Sequence, residues 1–298
     1  MLSGIVNFYK PVGMSSHTAA NKVRRALGAE KAGHTGTLDP YAEGVLPILI
    51  GNATRFSELL VEGVKKYTAT IHLGHTTTTL DSEGEDVTLL PRNEINVTPE
   101  QLSAVLDTFK GEIEQAPPMY SACSVGGVRL YKLAREGVEV ERPTRKVTIY
   151  DIELLSFDSE EYYASFSVTC SKGTYIRTLA DDIGRALNCG AMLAGLVRTE
   201  TGGFSIDDSL DIEEIEALGE KALISVESRF LDMPIFVPQE FHLKLLTDGQ
   251  RVLRKKLGLS ALSDGDLRRI HTKDGVFVGI GKAVTFDGEP CFEFFKRA

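Results

Sequence analysis

Apolar residues recur along this chain with two different periods, one typical of strands and one typical of helices, and the segments with these periods follow each other in no regular order. Segment 67–73 alternates apolar and polar side chains, a period of two that predicts a half-buried strand, and strands are also predicted over 147–154 and 162–170. Helical spacing of apolar residues follows the capping sequence at 98–101 and recurs over 175–187. Because strands and helices do not follow a repeating order, we expect an α+β fold: a mixed, mostly antiparallel sheet flanked by helices and loops.

Segment 33–40, which reads GHTGTLDP, interrupts these patterns near the N-terminus. It follows a helix predicted to begin at Ser15 or Ser16 and to end at Gly28. Gly, Thr, Asp and a closing Pro are turn-forming residues, and loops on a rigid scaffold often present catalytic groups. His34 and Asp39 are therefore candidate functional residues. The simpler interpretation, that Asp39 fixes a turn and His34 packs locally, remains open.

An ionised carboxylate beside a closed pocket requires a nearby cation. Arg177, which follows the turn at 171–174, is one of several candidates to pair with Asp39, and the sequence does not choose among them. Tyr67 and Tyr175 lie at a strand start and at a strand-to-helix turn. Such rings either stack on a planar ligand or form the edge of a core.

Charge is unevenly distributed along the 298 residues. The net charge of −9 disfavours non-specific binding of nucleic acid, yet residues 1–72 and 238–298 each carry +3, whereas residues 73–109 carry −6 and 186–237 carry −7. A basic cluster lies within eighteen residues: Arg129, Lys132, Arg135, Arg142, Arg145 and Lys146. This cluster is either a solvated helix with an exposed arm or a finger that grips phosphates.

Several classes of protein are disfavoured by what the sequence lacks. No apolar run approaches the length of a membrane span, no secretory signal is visible at the start, and the four cysteines form no Cys-x-x-Cys pair. We therefore expect a cytoplasmic protein. His72 and His75 have no third metal ligand nearby, segment 81–86 lacks EF-hand spacing, and no phosphate-binding glycine motif occurs, so neither a metal nor a nucleotide cofactor is expected.

A domain boundary is predicted near residue 235. The acidic helical stretch 211–220 leads to Met233-Pro234 and Val237-Pro238, which are typical of a linker. Short apolar runs at 276–280, 283–286 and 291–295 are separated by Gly and Asp turns. We expect a main domain over 1–235 and a small β-rich module over 236–298.

Six motifs in order give the chain a recognisable resemblance. They are 7–16 (NFYKPVGMSS), 33–40 with 44–47 (GVLP), 66–67 (KY), the pattern G-x-x-T-x-T-x-D-x-x-G from Gly74 to Gly84, 118–122 (PMYSA) and 172–177 (KGTYIR). In this order they resemble the bacterial tRNA pseudouridine-55 synthases of the TruB family over nearly the whole chain. The departure is at 196–198, where Leu-Val-Arg replaces the family's Leu-Arg-Arg and leaves no basic group at Val197.

The resemblance implies a role for each candidate residue. The catalytic residues would be Asp39, Arg177 and Tyr67. Asp39 would be the essential aspartate, Arg177 its ion-pair partner, and Tyr67 would stack on the target uracil. Nucleotide contacts would come from His34, which helps to displace the base, and from Tyr67, Tyr175, Leu196 and Lys10. The basic residues expected to contact the RNA backbone are Arg129, Lys132, Arg142, Arg145 and Lys146.

The resemblance also implies fold and partners. The main domain would have the pseudouridine synthase fold with a thumb-like insertion over about 124–146, and residues 236–298 would form a barrel-like RNA-binding module of the PUA type. The substrate would be uridine 55 in the T-loop of tRNA, modified without a cofactor or metal by a monomer. The alternative is a module that binds the tRNA elbow and assists its folding without chemistry.

The chemistry of the isomerisation explains why so few catalytic side chains are expected. Conversion of uridine to pseudouridine breaks the N1–C1′ bond, turns the base and joins C5 to C1′, with no net oxidation and no added water. A hydrolytic glycosidase typically needs two carboxylates, whereas here one is adequate in a pocket that excludes water. The target base is unreachable inside a folded loop, so we expect it to be flipped onto an aromatic ring. Three paths for Asp39 stay open: attack on the base, attack on the sugar, or removal of the C2′ proton.

Overall fold

The computed structural model describes residues 2–61, 63–121 and 123–298. Its strands are β1 (Gly4–Lys10), β2 (Ala32–His34), β3 (Glu43–Ile50), β4 (Lys65–Leu73), β5 (His75–Thr77), β6 (Asp86–Leu89), β7 (Gly111–Gln115), β8 (Ser124–Val125), β9 (Val128–Arg129), β10 (Arg145–Phe157), β11 (Tyr163–Cys170), β12 (Ala191–Thr201), β13 (Phe204–Ser205), β14 (Ile235–Phe236), β15 (Val252–Leu253), β16 (Leu267–His271), β17 (Phe277–Phe286) and β18 (Glu289–Arg297). Its α-helices are α1 (Ser16–Ala26), α2 (Ser57–Leu60), α3 (Pro99–Thr108), α4 (Leu130–Arg135), α5 (Ile176–Ala186), α6 (Ile212–Leu218) and α7 (Glu240–Thr247). Ala122, the last residue of the motif at 118–122, lies outside the described residues.

A long mixed sheet forms the centre of the molecule. Its strands run in the order β1-β3-β12-β4-β11-β10-β7, with β2 paired to β3 and β13 paired to β12. Every neighbouring pair is antiparallel except β3 and β12, which run parallel through Glu43–Val197 and Gly44–Arg198. The predicted α+β class with a mixed, mostly antiparallel sheet is confirmed.

The two faces of the sheet are covered differently. Alternate residues of β1 point to opposite sides: Val6 belongs to the main core with α1, α3, α5 and α6, and Ile5 belongs to a second core on the other face. The second core includes Phe56 and reaches Ile280 of β17 in the C-terminal module. Helices α1, α3, α5 and α6 therefore cover one side of the sheet, and α2 and the C-terminal module pack on the other.

In two central strands, β3 and β12, apolar and polar residues do not alternate along the sequence. In β3 every residue after Glu43 is buried, and β12 is likewise buried along much of its length. A strand covered on both faces has no polar side to generate a period of two, so periodicity does not reveal it. The strands predicted over 67–73, 147–154 and 162–170 are present as β4, β10 and β11, and each has one face that is less buried than the other along part of its length.

The predicted helix starts are confirmed by their caps. The Ser15 hydroxyl accepts a hydrogen bond from the Thr18 amide at 3.1 Å, which places the start of α1 at Ser16. At α3, the side chains of Thr98 and Gln101 each accept a hydrogen bond from the other's backbone amide, and Pro99 occupies the first turn. After β3, a 3-10 segment over 51–56 precedes the four-residue α2.

The C-terminal module is an open five-stranded sheet in the order β14-β16-β17-β18-β15. Among the described residues β14 and β15 are its two edges, so the closure expected of a barrel is not found. The runs predicted at 276–280 and 283–286 form one strand, β17, rather than two. Gly281 does not turn the chain there. A Cβ on Gly281 would lie 2.3 Å from the Phe292 ring, so glycine serves the close approach of that ring.

No helix within the described residues is long and apolar enough to cross a membrane.

We predict that Gly184→Ala destabilises the protein. Alanine normally favours a helix interior over glycine by about 1 kcal/mol. Here, however, α5 packs so closely on the start of β12 that a Cβ on Gly184 would lie 2.1 Å from the Ala191 backbone nitrogen. We expect the free energy of unfolding, measured by urea denaturation, to fall by about 2 kcal/mol.

The control for this substitution is Gly195→Ala in β12. A Cβ there would meet Thr70 at an ordinary 3.7 Å, so the expected change is within about 0.5 kcal/mol. Wild-type stability in Gly184→Ala would show that α5 is not packed as closely as described.

Candidate active site

A cleft of about 420 Å³ opens between the loop after β2, the middle of the central sheet and the start of α5. Its lining includes Asp39, Tyr67, Tyr175, Arg177 and Leu196, which are five of the residues proposed from the sequence. Residues separated by more than 150 positions are thereby brought to one site. The lining also includes Tyr41, Tyr120, Tyr131, Arg145, Lys172 and Arg198.

The loop that carries Asp39 is held on both sides of that residue. The Ser16 hydroxyl donates to the Leu38 carbonyl and accepts from the Leu38 amide, both at 2.8 Å. The Pro40 carbonyl accepts from the Gly13 amide at 2.8 Å and from Lys10 Nζ at 3.4 Å. The adjacent serines thus do two tasks: Ser15 caps α1, and Ser16 fixes the backbone immediately before Asp39.

Arg177, at the start of α5, is the charged centre of the site. One guanidinium nitrogen, Nη2, lies 3.0 Å from Asp39 Oδ2, and the other, Nη1, lies 3.2 Å from Asp81 Oδ2. The same two nitrogens donate to the carbonyls of Tyr120 at 2.9 Å and Thr79 at 3.3 Å. Arg177 is only 4% exposed, so its orientation is determined by four partners from three other chain segments.

The pKa of the Asp39 carboxylate is subject to opposing effects. Burial raises its pKa above the ordinary value, the Arg177 guanidinium acts in the opposite direction, and the nearby Asp81 charge raises the pKa again. The net direction is upward. The Asp39 side chain remains 34% exposed, toward the cleft, whereas the Asp81 side chain is 3% exposed. Asp39 therefore has access to a ligand, and Asp81 does not.

Asp81 is a component of the site that sequence reasoning assigned no role. It lies in a tight turn between β5 and β6, where its backbone carbonyl accepts from the Thr77 hydroxyl at 2.6 Å and its carboxylate accepts from the Glu83 amide at 3.0 Å. Gly84 packs against this turn so closely that a Cβ would lie 2.4 Å from Thr79 Oγ1. The motif from Gly74 to Gly84 had already pointed to this position, but only the fold shows that it reaches Arg177.

Tyr67 and Leu196 form the wall of the cleft on neighbouring strands. Tyr67 in β4 is paired across the sheet with Arg198 in β12, whose guanidinium partly offsets the increase that burial causes in the tyrosine pKa. Arg198 Nε donates to the Val45 carbonyl at 2.8 Å and Nη2 to the Gly36 carbonyl at 3.2 Å. This second buried guanidinium therefore ties the loop before Asp39 to the sheet.

Arg145 is placed differently from the other basic residues. Its guanidinium carbon lies 4.5 Å from the centre of the Tyr175 ring, and Nη1 lies 3.6 Å from Cys123 Sγ. Arg145 and Tyr175 both line the cleft. Arg145, expected as a contact for the RNA backbone, thus forms one wall of the cleft together with Tyr175.

The remaining predicted residues are outside the cleft lining. Lys10 is fully buried, its Nζ donates to backbone carbonyls of Met14 and Pro11, and burial lowers its pKa to about 8. Through these bonds and its contact with the Pro40 carbonyl, Lys10 supports the loop that carries Asp39. His34 lies in β2, half-buried, with its pKa lowered by burial. The basic residues at the surface are Arg129, Lys132, Arg142, which donates to the Pro117 carbonyl, and Lys146, which is paired with Glu112.

No group of three or more His, Cys, Asp or Glu side chains that could hold a metal ion occurs in the described parts of the chain. His72 and His75 do approach each other, with their Nδ1 atoms 3.2 Å apart, and His75 Nε2 lies 2.7 Å from Asp86 Oδ1.

Comparison with known proteins identifies the family of the chain. The description "TruB family pseudouridylate synthase (N terminal domain)" matches residues 24–176, and "tRNA pseudouridylate synthase B C-terminal domain" matches residues 177–232. The curated "tRNA pseudouridine synthase B" of Clostridium kluyveri is 42% identical, covering 94% of this chain and 95% of its own. The protein of the same name from Pseudomonas fluorescens is 45% identical, covering 96% and 93%.

A solved structure titled "Crystal Structure of a Cbf5-Nop10-Gar1 Complex" is similar in fold. It superposes with a TM-score of 0.70 at 28% identity and covers 94% of this chain and 78% of its own. The family descriptions span most of the chain, and the relatives align along nearly its whole length. The chain therefore belongs to the TruB family of tRNA pseudouridine synthases, which are isomerases.

Proposed function

We propose that this enzyme converts uridine 55 in the T-loop of tRNA to pseudouridine, with Asp39 as the catalytic carboxylate. The observation that carries the proposal is the position of Asp39: one carboxylate oxygen is paired with a buried guanidinium, and the side chain faces a cleft of nucleotide size. The isomerisation needs one group at the glycosidic bond and the exclusion of water. It needs no redox partner and no added atom, so the proposal includes no cofactor and no metal.

Arg177 supports catalysis by keeping Asp39 ionised. Burial favours the neutral acid, and a neutral carboxyl can neither attack an electrophilic carbon nor remove a proton. The guanidinium offsets part of that effect, and Asp81 keeps the guanidinium in place by pairing with its other edge. The three paths for Asp39 all require this charge.

Base flipping is a further part of the proposal. A uridine within a folded loop has to leave the stack before a group at the base of a cleft can reach its sugar. Tyr67 and Leu196 form one wall against which a planar base would pack, and Tyr175 with Arg145 forms another. His34, beside the loop that carries Asp39, would help to displace the base.

The basic residues near the cleft support the binding of a tRNA arm. Within the proposed thumb at 124–146, Arg129 and Lys132 are exposed on the segment from β8 to α4, Arg142 lies between α4 and β10, and Lys146 lies at the start of β10. We further propose that residues 236–298, with their surplus of basic residues, act as an RNA-binding module of the PUA type and that residues 1–235 form the catalytic domain. We propose that the enzyme acts as a monomer.

We predict that Asp39→Asn abolishes turnover while tRNA binding persists. A tRNA transcript with tritium at uracil C5 releases the label when C5 joins C1′, so release measures the reaction. Asparagine keeps the size of the side chain and removes the negative charge. We expect release to fall at least 1,000-fold and the dissociation constant, measured by filter binding, to change less than about threefold.

Two controls accompany this experiment. Asp182→Asn removes another partly buried carboxylate on the helix of Arg177 and is expected to retain the wild-type rate. A transcript with cytidine at position 55 is expected to release no tritium. Equal release by Asp39→Asn and the wild type would refute the catalytic role. Binding without release by the wild type would favour a tRNA-folding module, and free uracil in the products would indicate a hydrolase.

The thumb assignment predicts a change in salt dependence. Neutralising Lys132 and Lys146 together should reduce the slope of log K against log [salt] by about one to two, because each lost phosphate contact removes about one released counterion. The matched control is the Lys132→Arg/Lys146→Arg variant, which retains both charges and is expected to retain the slope. An unchanged slope in the alanine variant would place these residues outside the RNA interface.

A further inference from the structure

Several buried polar atoms of the cleft have no hydrogen-bond partner among the described residues. They include the hydroxyl of Tyr41 and the Nε atoms of Arg145 and Arg177. All three residues line the cleft. A buried donor without a partner weakens the folded state, and where such donors face one cavity they indicate a polar ligand that completes them.

Tyr41 is distinctive within this set because phenylalanine would fill the same place without the cost. Its ring belongs to the main hydrophobic core, and the residue is only 8% exposed. It follows Pro40, the residue whose carbonyl is anchored by Gly13 and Lys10, so its backbone is fixed together with that of Asp39. The ring explains the packing, and the hydroxyl remains unexplained.

Tyr41 lines the cleft and follows Asp39 by two residues. The charges that act on it most strongly are those of Asp39 and Arg177, followed by Asp81 and Glu83. Burial and the Asp39 charge raise the pKa of Tyr41 well above the ordinary value, so the phenol stays protonated and acts as a donor. Tyr175 and Arg145 form a separate stacked wall of the same cleft.

Resting on the proposed function, we infer that the Tyr41 hydroxyl donates a hydrogen bond to the uracil carbonyl O2 of the flipped uridine. Asp39 acts at the bond between N1 and C1′, and O2 is the carbonyl oxygen next to N1. A donor beside Asp39 is therefore beside O2 when the nucleotide is in reacting position. The hydroxyl stays protonated throughout and transfers no proton.

This hydrogen bond stabilises the negative charge that develops on the uracil during the reaction. When the N1–C1′ bond breaks, its electron pair stays with the uracil and spreads onto O2 and O4. The C5–C1′ bond then forms and the C5 proton leaves to water, so the isomerisation is balanced without an oxidant or reductant. A fixed donor at O2 stabilises the uracil anion more than the neutral base, as donors at other developing oxyanions do.

The test is Tyr41→Phe, compared with Tyr162→Phe. Tyr162 is another partly buried tyrosine, but its hydroxyl donates to the Ile95 carbonyl at 2.9 Å and it is outside the cleft. We expect Tyr41→Phe to lower the single-turnover rate of tritium release about 10- to 100-fold. Its affinity for tRNA and its urea midpoint should stay equal to or above wild type. Tyr162→Phe should show the reverse: wild-type rate and a lower midpoint.

A substrate change identifies the acceptor. In a transcript with 2-thiouridine at the target, sulfur is a poor acceptor in place of O2, so the ratio of wild-type to Tyr41→Phe rates should approach one. With 4-thiouridine the ratio should be unchanged. A wild-type rate in Tyr41→Phe, a joint loss of rate and stability, or an unchanged ratio with 2-thiouridine would each overturn the inference. An inactive wild type would instead overturn the proposed function.

Discussion

The site depends on one buried guanidinium with two carboxylates. Arg177 lies between Asp39 and Asp81, and both ion pairs are in a region where unpaired charge would be costly. The backbone carbonyls of Thr79 and Tyr120 accept further hydrogen bonds from Nη1 and Nη2, so four parts of the chain meet at this one side chain. This explains why the motifs of the sequence, scattered over more than a hundred residues, form a single structural unit.

A second buried guanidinium, that of Arg198, makes the fixed geometry possible. It joins the loop before Asp39 to the parallel pair of β3 and β12 through the carbonyls of Gly36 and Val45. Gly44 is required at this junction because a Cβ there would lie 2.3 Å from the Arg198 carbonyl oxygen. Rigid placement of one carboxylate suits the proposed reaction, in which Asp39 alone acts on a base that stays in the pocket.

Many helices and strands of the fold are predictable from local sequence patterns, whereas the arrangement of the site depends on contacts between residues distant in the sequence. The caps at Ser15 and Thr98 and the strands β4 and β11 have local signals, so they were predicted correctly. The strands β3 and β12 were not predicted, because residues buried on both faces carry no period. The pairing of Arg177 with Asp39 was inferred from resemblance and is present, whereas the role of Asp81 and the position of Arg145 beside Tyr175 appear only when remote segments meet. The contact of Lys10 Nζ with the Pro40 carbonyl and the place of Val197 opposite Thr68 on the neighbouring strand likewise depend on contacts distant in the sequence.

The most direct test of the central claim, that the Arg177 cation keeps Asp39 ionised, is the pH dependence of single-turnover tritium release. Removing the cation leaves burial and Asp81 to raise the Asp39 pKa further, so the acid limb of the profile for Arg177→Met should move upward by at least about one pH unit, with activity partly recovered at alkaline pH. Arg177→Lys, which keeps the charge, should retain a limb close to that of the wild type. If Arg177→Met is slower by the same factor at every pH, the guanidinium acts only as a scaffold, and the electrostatic role assigned to it is wrong.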